Sequence, residues 1–152
     1  MADFKPVVFK LGNELYGLDI SKVQGIEKEQ QVVHVPNTAS YINGIMNLRG
    51  EVIPVYSLRK KFSMPDTTST DIQYIIVRAN GSLLALEVDS VDEIHNVEEQ
   101  NIHVVPFIVN TVDTRYFDRV LKTERGLIIT IDIDKLLSDE EIEQIENMRD
   151  NF

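Results

Sequence analysis

Three histidines, His34, His95 and His103, and twenty-five carboxylates carry most of this chain's capacity for metal or acid–base chemistry. The histidines stand at no recognised ligand spacing, and with no cysteine the sequence excludes disulfides, thiolate metal sites and a cysteine nucleophile. Asp132 and Asp134, followed by Asp139, Glu140 and Glu141, raise the question of calcium. No EF-hand loop with its central glycine accompanies them, and their alternation with Ile131 and Ile133 predicts the wet face of a strand. Glycoside hydrolysis needs two particular acids held across a cleft, and nothing in the sequence selects such a pair. The nucleophile elbow, the phosphate-binding loop, the dinucleotide fingerprint and the H-E-x-x-H zinc motif are all absent. Two classes remain: a binding or scaffolding module, and a small β-barrel enzyme or ligand-binding protein using scattered acidic residues and histidines. Stoichiometric metal would favour the second.

The elements that would position any site repeat along the chain. Moving residues 8–26 forward by 68 positions lays VFKLGNELYGLDISKVQGI over IVRANGSLLALEVDSVDEI without a gap. Leu15/Leu83, Leu18/Leu86, Val23/Val91 and Ile26/Ile94 are identical, and the turns Gly12-Asn13 and Asn80-Gly81 fall in register. Further on, Arg49-Gly50 before VIPVYSLRKKF resembles Arg125-Gly126 before LIITIDIDKLL. Two similar lobes are expected, the second beginning near residue 70, with the polar stretch at 63–71 as an exposed connector.

Period-two patterning predicts a hairpin in each copy, the first carrying Val7, Phe9 and Leu11 against Tyr16, Leu18 and Ile20. In the second, Leu84, Leu86 and Val88 share one face while Leu83, Ala85 and Glu87 share the other. Residues 127–134 alternate, with Leu127, Ile129, Ile131 and Ile133 opposite Ile128, Thr130, Asp132 and Asp134. Pro54 cannot donate to a ladder, so its strand should meet an edge or a bulge there. Short helices are expected where Ser21 could cap a turn carrying Val23 and Ile26, and from Thr38 to Asn43 ending at Gly44. Ser138 with Glu141 three residues on matches a capping box, opening a C-terminal amphipathic helix with Ile142, Ile145 and Met148 on one face. Its acids read as a solvated surface.

At 152 residues the chain is long enough to bury about 70% of its extended surface without staples. A formal charge of −10 repels nucleic-acid phosphates and anionic headgroups, so nucleic acid is not an expected partner. No apolar run approaches the roughly 20 residues of a membrane span, which argues against direct membrane insertion. The N-terminus lacks the pattern of a secretory signal, and the missing cysteines suit a reducing cytoplasm.

Two stretches carry a family resemblance: ELYGLDISKVQGI at residues 14–26 and, above all, YINGIMNLRGEVIPVYSLRKKF at residues 41–62. With VDSVDEI at 88–94 and IDIDKLLSDEEI at 131–142, the chain resembles the CheW family over almost its whole length. The resemblance implies a mainly β fold: two pseudo-symmetric five-stranded β-barrel subdomains sharing a hydrophobic seam, within one CheW-like domain spanning 1–152. It implies a non-enzymatic adaptor in bacterial chemotaxis that needs no cofactor. Its expected partners are the regulatory domain of a CheA-type histidine kinase, the cytoplasmic hairpin tip of methyl-accepting chemoreceptors and further CheW-like domains in arrays.

In that family the receptor helix lies in the groove between the barrels, which nominates Arg49, Val23 and Ile94 for receptor binding; no residue is assigned to the kinase. Arg49 could fork to a partner carboxylate or carbonyl, while a turn arginine would simply point to water. Val23 and Ile94 each have an identical counterpart in the other copy, Val91 and Ile26, and so could equally be core. Two departures stand out. Gly25 occupies a place where the family usually has an acid or polar residue, and Tyr116-Phe117-Asp118-Arg119 replaces a Tyr-[LI]-x-Gly stretch.

Overall fold

The computed structural model describes residues 4–28, 31–36, 41–65, 71–94, 96–105 and 115–150. Among them lie eleven strands: β1 (Pro6–Leu11), β2 (Glu14–Asp19), β3 (Val23–Lys28), β4 (Ile42–Leu48), β5 (Glu51–Ser57), β6 (Gln73–Ala79), β7 (Ser82–Val88), β8 (Ser90–Ile94), β9 (Ile102–Val104), β10 (Phe117–Thr123) and β11 (Gly126–Ile131). Three helices accompany them: α1 (Leu58–Lys61), α2 (Ile133–Leu136) and α3 (Asp139–Asp150).

The strands form two sheets, ordered β8-β1-β2-β11-β10-β9 and β3-β6-β7-β5-β4. This interlaces the two copies. The first copy gives its hairpin β1-β2 to one sheet and β3, β4 and β5 to the other, while the second copy does the reverse with β6-β7 and β8 to β11. Position 70 separates the repeats in sequence, but it does not separate the sheets. Equivalent pairings confirm the pseudo-symmetry: β11 runs parallel to β2 as β5 runs parallel to β7, and β8 flanks β1 as β3 flanks β6. The strand β9 corresponds to an isolated bridge between Val33 and Ile45 at the other sheet's edge. Among the described residues each lobe is an open, curled sheet rather than a closed barrel, because no ladder joins its outermost strands.

Alternation lets each strand feed two cores. Met46, Ile53, Val55, Tyr74, Ile76 and Ala85 fill the concave side of one sheet, and Phe4, Val8, Val97, Leu121 and Ile128 fill that of the other. Between the sheets runs the seam, built on Phe9, Leu11 and Leu18 from one and Ile75, Val77, Leu84 and Leu86 from the other. Leu84, Leu86 and Val88 thus share the seam face, as the sequence pattern predicts. Phe62, just after α1, stitches the two sides by packing its ring on Tyr16 at 5.3 Å and on Tyr116 at 5.7 Å.

Several sequence expectations need correction. Val23 and Ile26 lie on strand β3, and only residues 20–22 form a 3-10 turn, capped by the Asp19 carboxylate accepting from the Ser21 amide at 3.0 Å. Spacing of three mimicked a helix, whereas β6 offers β3 a ladder that a single helical turn could not match. Ile42 and Asn43 are likewise in β4, while residues 38–40 of the expected helix lie outside the described residues. So do residues 66–70 of the expected connector.

The alternation at 127–134 also breaks. The strand β11 ends at Ile131, where the Asp132 carboxylate accepts from the Asp134 amide at 3.0 Å and caps α2. Leu127 is exposed while Ile128 and Thr130 are buried, because β11 faces a lobe core on one side and the rim of the seam on the other.

Pro54 is on an internal strand, yet costs no ladder bond. Ile45 turns its N–H and C=O toward Val33, making Ile45–Pro54 a non-hydrogen-bonded pair, and pairing with β7 starts only at Val55. Gly44 is required for a different reason: a Cβ there would lie 2.1 Å from the Val33 carbonyl oxygen. At the matching place in the other lobe, Arg119 stands in a regular pair with Val104 and sets its guanidinium 5.2 Å from the centre of the Phe4 ring. The altered 116–119 stretch therefore keeps its bulge without needing a glycine.

At the start of α3 the Ser138 amide donates to Glu141 Oε1 at 2.9 Å and the Glu141 amide to Ser138 Oγ at 3.2 Å, completing the capping box. Ile145 is buried and Ile142 and Met148 pack on the seam. The acids are not all solvated, however: Glu141 is buried, with Lys61 Nζ 3.8 Å from its Oε1. Its Oε2 and the nearby Tyr56 hydroxyl are buried without a well-formed hydrogen bond. Burial, and then the Glu141 carboxylate, hold the Tyr56 phenol far above its ordinary range.

Candidate functional site

A two-residue connection joins β4 to β5, and its central residues Arg49 and Gly50 have φ of 51° and 89°. Two successive left-handed residues make a type I′ turn, whose twist matches that of the flanking strands. Asn80-Gly81 repeats the geometry with φ of 52° and 82°, using the residue types that such a turn prefers. Arginine at the first position is the unfavourable choice. The turn holds it rigidly, helped by the Gly50 amide donating to Asn47 Oδ1 at 2.8 Å. The Arg49 side chain is 83% exposed and makes one bond, from Nη2 to Glu27 Oε1 at 3.2 Å. Most of its donor fork therefore faces solvent.

Glu27 belongs to β3, so the strand running beneath the turn connects Arg49 to the remaining nominated residues. Between them is a concavity of about 250 Å³ lined by Gln24, Gly25, Glu27, Leu48, Arg49, Glu51, Ile76, Arg78 and Leu83. Val23 starts the same strand, roughly 13 Å away at ~3.3 Å per residue, half-buried against the seam. Ile94 pairs with Val7 on the other sheet through its backbone, and its side chain lies outside the described residues. The structure brings Arg49 to Glu27 and beside Gly25, with Val23 at the start of the same strand and the Ile94 backbone on the edge strand of the other sheet.

The hairpin tip of the other lobe has its own arginine, Arg125, paired with Asp92 of β8. A wider concavity of about 710 Å³ lies there among Asn96, Val97, Glu98, Asn101, Lys122, Thr123, Glu124 and Arg125. Both tip arginines pair with a carboxylate on the corresponding edge strand, though at different positions along it, and Arg125 is the less exposed at 37%.

Sequence reasoning missed the contact that ties the sheets together. Arg59 of α1 donates from Nε to Asp89 Oδ1 at 2.6 Å and from Nη2 to Oδ2 at 2.5 Å, while Asp89 Oδ2 also accepts the Gly12 amide at 2.7 Å. Arg59 follows β5 of one sheet, and Gly12 lies in the β1–β2 turn of the other. Burial would raise the Asp89 carboxyl, but the Arg59 and Gly12 hydrogen bonds and the guanidinium charge outweigh it and hold the group below the usual range. On the opposite flank Asp134 accepts from the Asn80 amide and Lys22 Nζ, both at 3.3 Å and both exposed. Only the recurring turn Gly12-Asn13 and Asn80-Gly81 hinted at such anchoring in the sequence.

For chemistry the arrangement offers little. His34 and His103 are exposed on the outer segments of opposite sheets, His95 lies outside the described residues, and among those described no group of three His, Cys, Asp or Glu side chains could hold a metal. What it does offer is an exposed arginine beside a shallow recess at the β4–β5 turn.

Comparison with known proteins supplies the family. A sequence profile of the CheW-like domain matches residues 5–141. The chemotaxis protein CheW of Klebsiella aerogenes is 34% identical over 143 residues, covering 93% of this chain and 86% of that relative. Its namesake from Treponema pallidum is 32% identical over 150 residues, covering 95% and 88%. The crystal structure of the scaffolding protein TtCheW from Thermoanaerobacter tengcongensis superposes with a TM-score of 0.83 at 37% identity, covering 93% of this chain and 96% of that one. The chain belongs to the CheW-like family, whose named members here are chemotaxis and scaffolding proteins, in agreement with a non-enzymatic reading.

Proposed function

We propose that this protein is a chemotaxis adaptor that couples the cytoplasmic tip of a chemoreceptor to a CheA-type kinase. The observation that carries the receptor half is Arg49: an arginine held at positive φ against turn preference, exposed, and with most of its donors unused. Such a residue is poorly suited to be a mere turn former, and its fork matches a carboxylate or a helix-terminal carbonyl on a partner. Val23 supports the docking surface from the seam, and Ile94 provides the corresponding edge on the other sheet. The kinase regulatory domain, built on the same kind of fold in the family, engages a different face. The adaptor works in the cytoplasm; consistent with that, no helix among the described residues is long and apolar enough to cross a membrane. Individual interfaces on the order of 1,200 Å² would be weak and gain avidity from repetition in an array.

The test uses two substitutions at one position. Arg49→Glu should lower affinity for a chemoreceptor cytoplasmic fragment at least tenfold with little change in melting temperature. Arg49→Asn, which suits the turn better, should hold or raise the melting temperature and still lose binding. Unchanged affinity in both would assign Arg49 to structure, and a wild-type protein binding neither receptor fragment nor kinase domain at tens of micromolar would end the adaptor reading.

A further inference from the structure

Under α3 lie polar atoms that the fold buries without fully satisfying. The Glu141 side chain is almost completely buried, and its Oε2 and the Tyr56 hydroxyl of β5 both lack a well-formed hydrogen bond. Its Oε1 accepts the Ser138 amide at 2.9 Å and stands 3.8 Å from Lys61 Nζ, an ion pair beyond hydrogen-bond reach. For a buried carboxylate this is a thinly compensated setting. The ammonium is itself held in place. Lys61 ends α1, and its Nζ sits 4.9 Å from the ring centre of Tyr41, in the first copy, and 5.5 Å from that of Tyr116, in the second.

Little else holds α3. It belongs to neither sheet and packs over β5 and β7; among its described side chains Glu141 and Ile145 are buried, while Ile142 and Met148 are half-buried. Asp139, Glu143 and Glu146 form a like-charged row on its exposed face at spacings of four and three, which weakens the helix. Twelve residues make a marginal helix in water, so α3 lifted off the seam would also melt. Glu141 joins the two events, because the same oxygen completes the capping box and meets Lys61 on the scaffold.

We infer that α3 is a strap across the seam that opens and closes as one unit, with the Lys61–Glu141 pair as its lock. Opening hydrates the Glu141 carboxylate and uncovers the Tyr56 hydroxyl with the seam residues beside it. Both sheets keep their ladders, since α3 supplies no strand.

Native-state hydrogen exchange of the whole chain in low urea tests this. The hydrogen-bonded amides of α3 should share one opening step, with protection about tenfold or more below the slowest amides of β5 and β7 and a weaker urea dependence. Lys61→Met leaves the carboxylate buried without its counter-ion and should lower α3 protection by a further factor of about ten or more. Adding Glu141→Gln keeps an oxygen for the Ser138 amide and removes the charge, so the double variant should recover most of that loss. If α3 amides exchange only together with those of the sheets, or fray one by one from the helix end, the strap is overturned. Wild-type α3 protection in Lys61→Met, or a double variant no better protected than the single one, overturns the lock.

Discussion

Removing the Asp89 carboxylate tests how strongly its contact with Arg59 and Gly12 pins the two interlaced sheets. Asp89→Ala strips Arg59 of both carboxylate bonds and leaves the Gly12 amide without its acceptor. Both side chains are only 15% exposed, so the pair is closer to a buried bridge than to a surface one. Breaking a buried pair from one side costs about 3–5 kcal/mol, and the residual solvent access places this one near the lower end, about 3 kcal/mol. For a chain of this length that is roughly a 6–12 °C fall in melting temperature. Urea unfolding measures it directly through the shift in midpoint at constant slope. The pH dependence supplies the sign. Because the folded Asp89 pKa lies below its unfolded value of about 3.9, its contribution is complete above that value and disappears as pH falls through the folded one. Wild type and variant should therefore differ most at neutral pH and converge in acid. A loss below about 1 kcal/mol, or one that persists undiminished in strong acid, would refute the clamp.

Two further expectations concern packing and capping. Leu86→Ala, at the centre of the seam and fully buried, should cost about 2–5 kcal/mol and keep one cooperative transition, because each sheet contains strands of both copies; two separated calorimetric transitions would contradict the interlacing. Ser138→Ala should cost about 1 kcal/mol through loss of the cap on α3, read as a melting shift of roughly 2–4 °C, and no shift would mean that the burial of Ile145 alone holds the helix.

The pieces of the fold written in local pattern were legible: both hairpins and the capping box, each resting on residues within a few positions of one another, and the duplication, because two such local patterns recur 68 positions apart. Strand exchange was not, because the same alternation in β1-β2 and β6-β7 is satisfied whichever copy supplies the neighbouring strands. The helix expected at Val23 and Ile26 failed for a related reason, since two apolar residues three apart fit one helical turn, while the ladder that makes β3 a strand comes from β6, some fifty residues away. Arg49 was legible through its motif, but the contact with Glu27 that organises it was not. The Arg59–Asp89 clamp joins residues 30 apart through two different elements, a distance at which composition and spacing carry no signal.

The central claim is that the face around β3 and the β4–β5 turn receives a receptor helix while a separate face receives the kinase. Titrating isotope-labelled protein with a chemoreceptor cytoplasmic fragment, and in a second series with a CheA-type regulatory domain, tests it most directly. The account expects receptor-induced backbone shifts concentrated at residues 24–27 and 48–51 and a non-overlapping set with the kinase domain. Receptor shifts that avoid those residues, or saturating shifts from both partners on the same face, would contradict it.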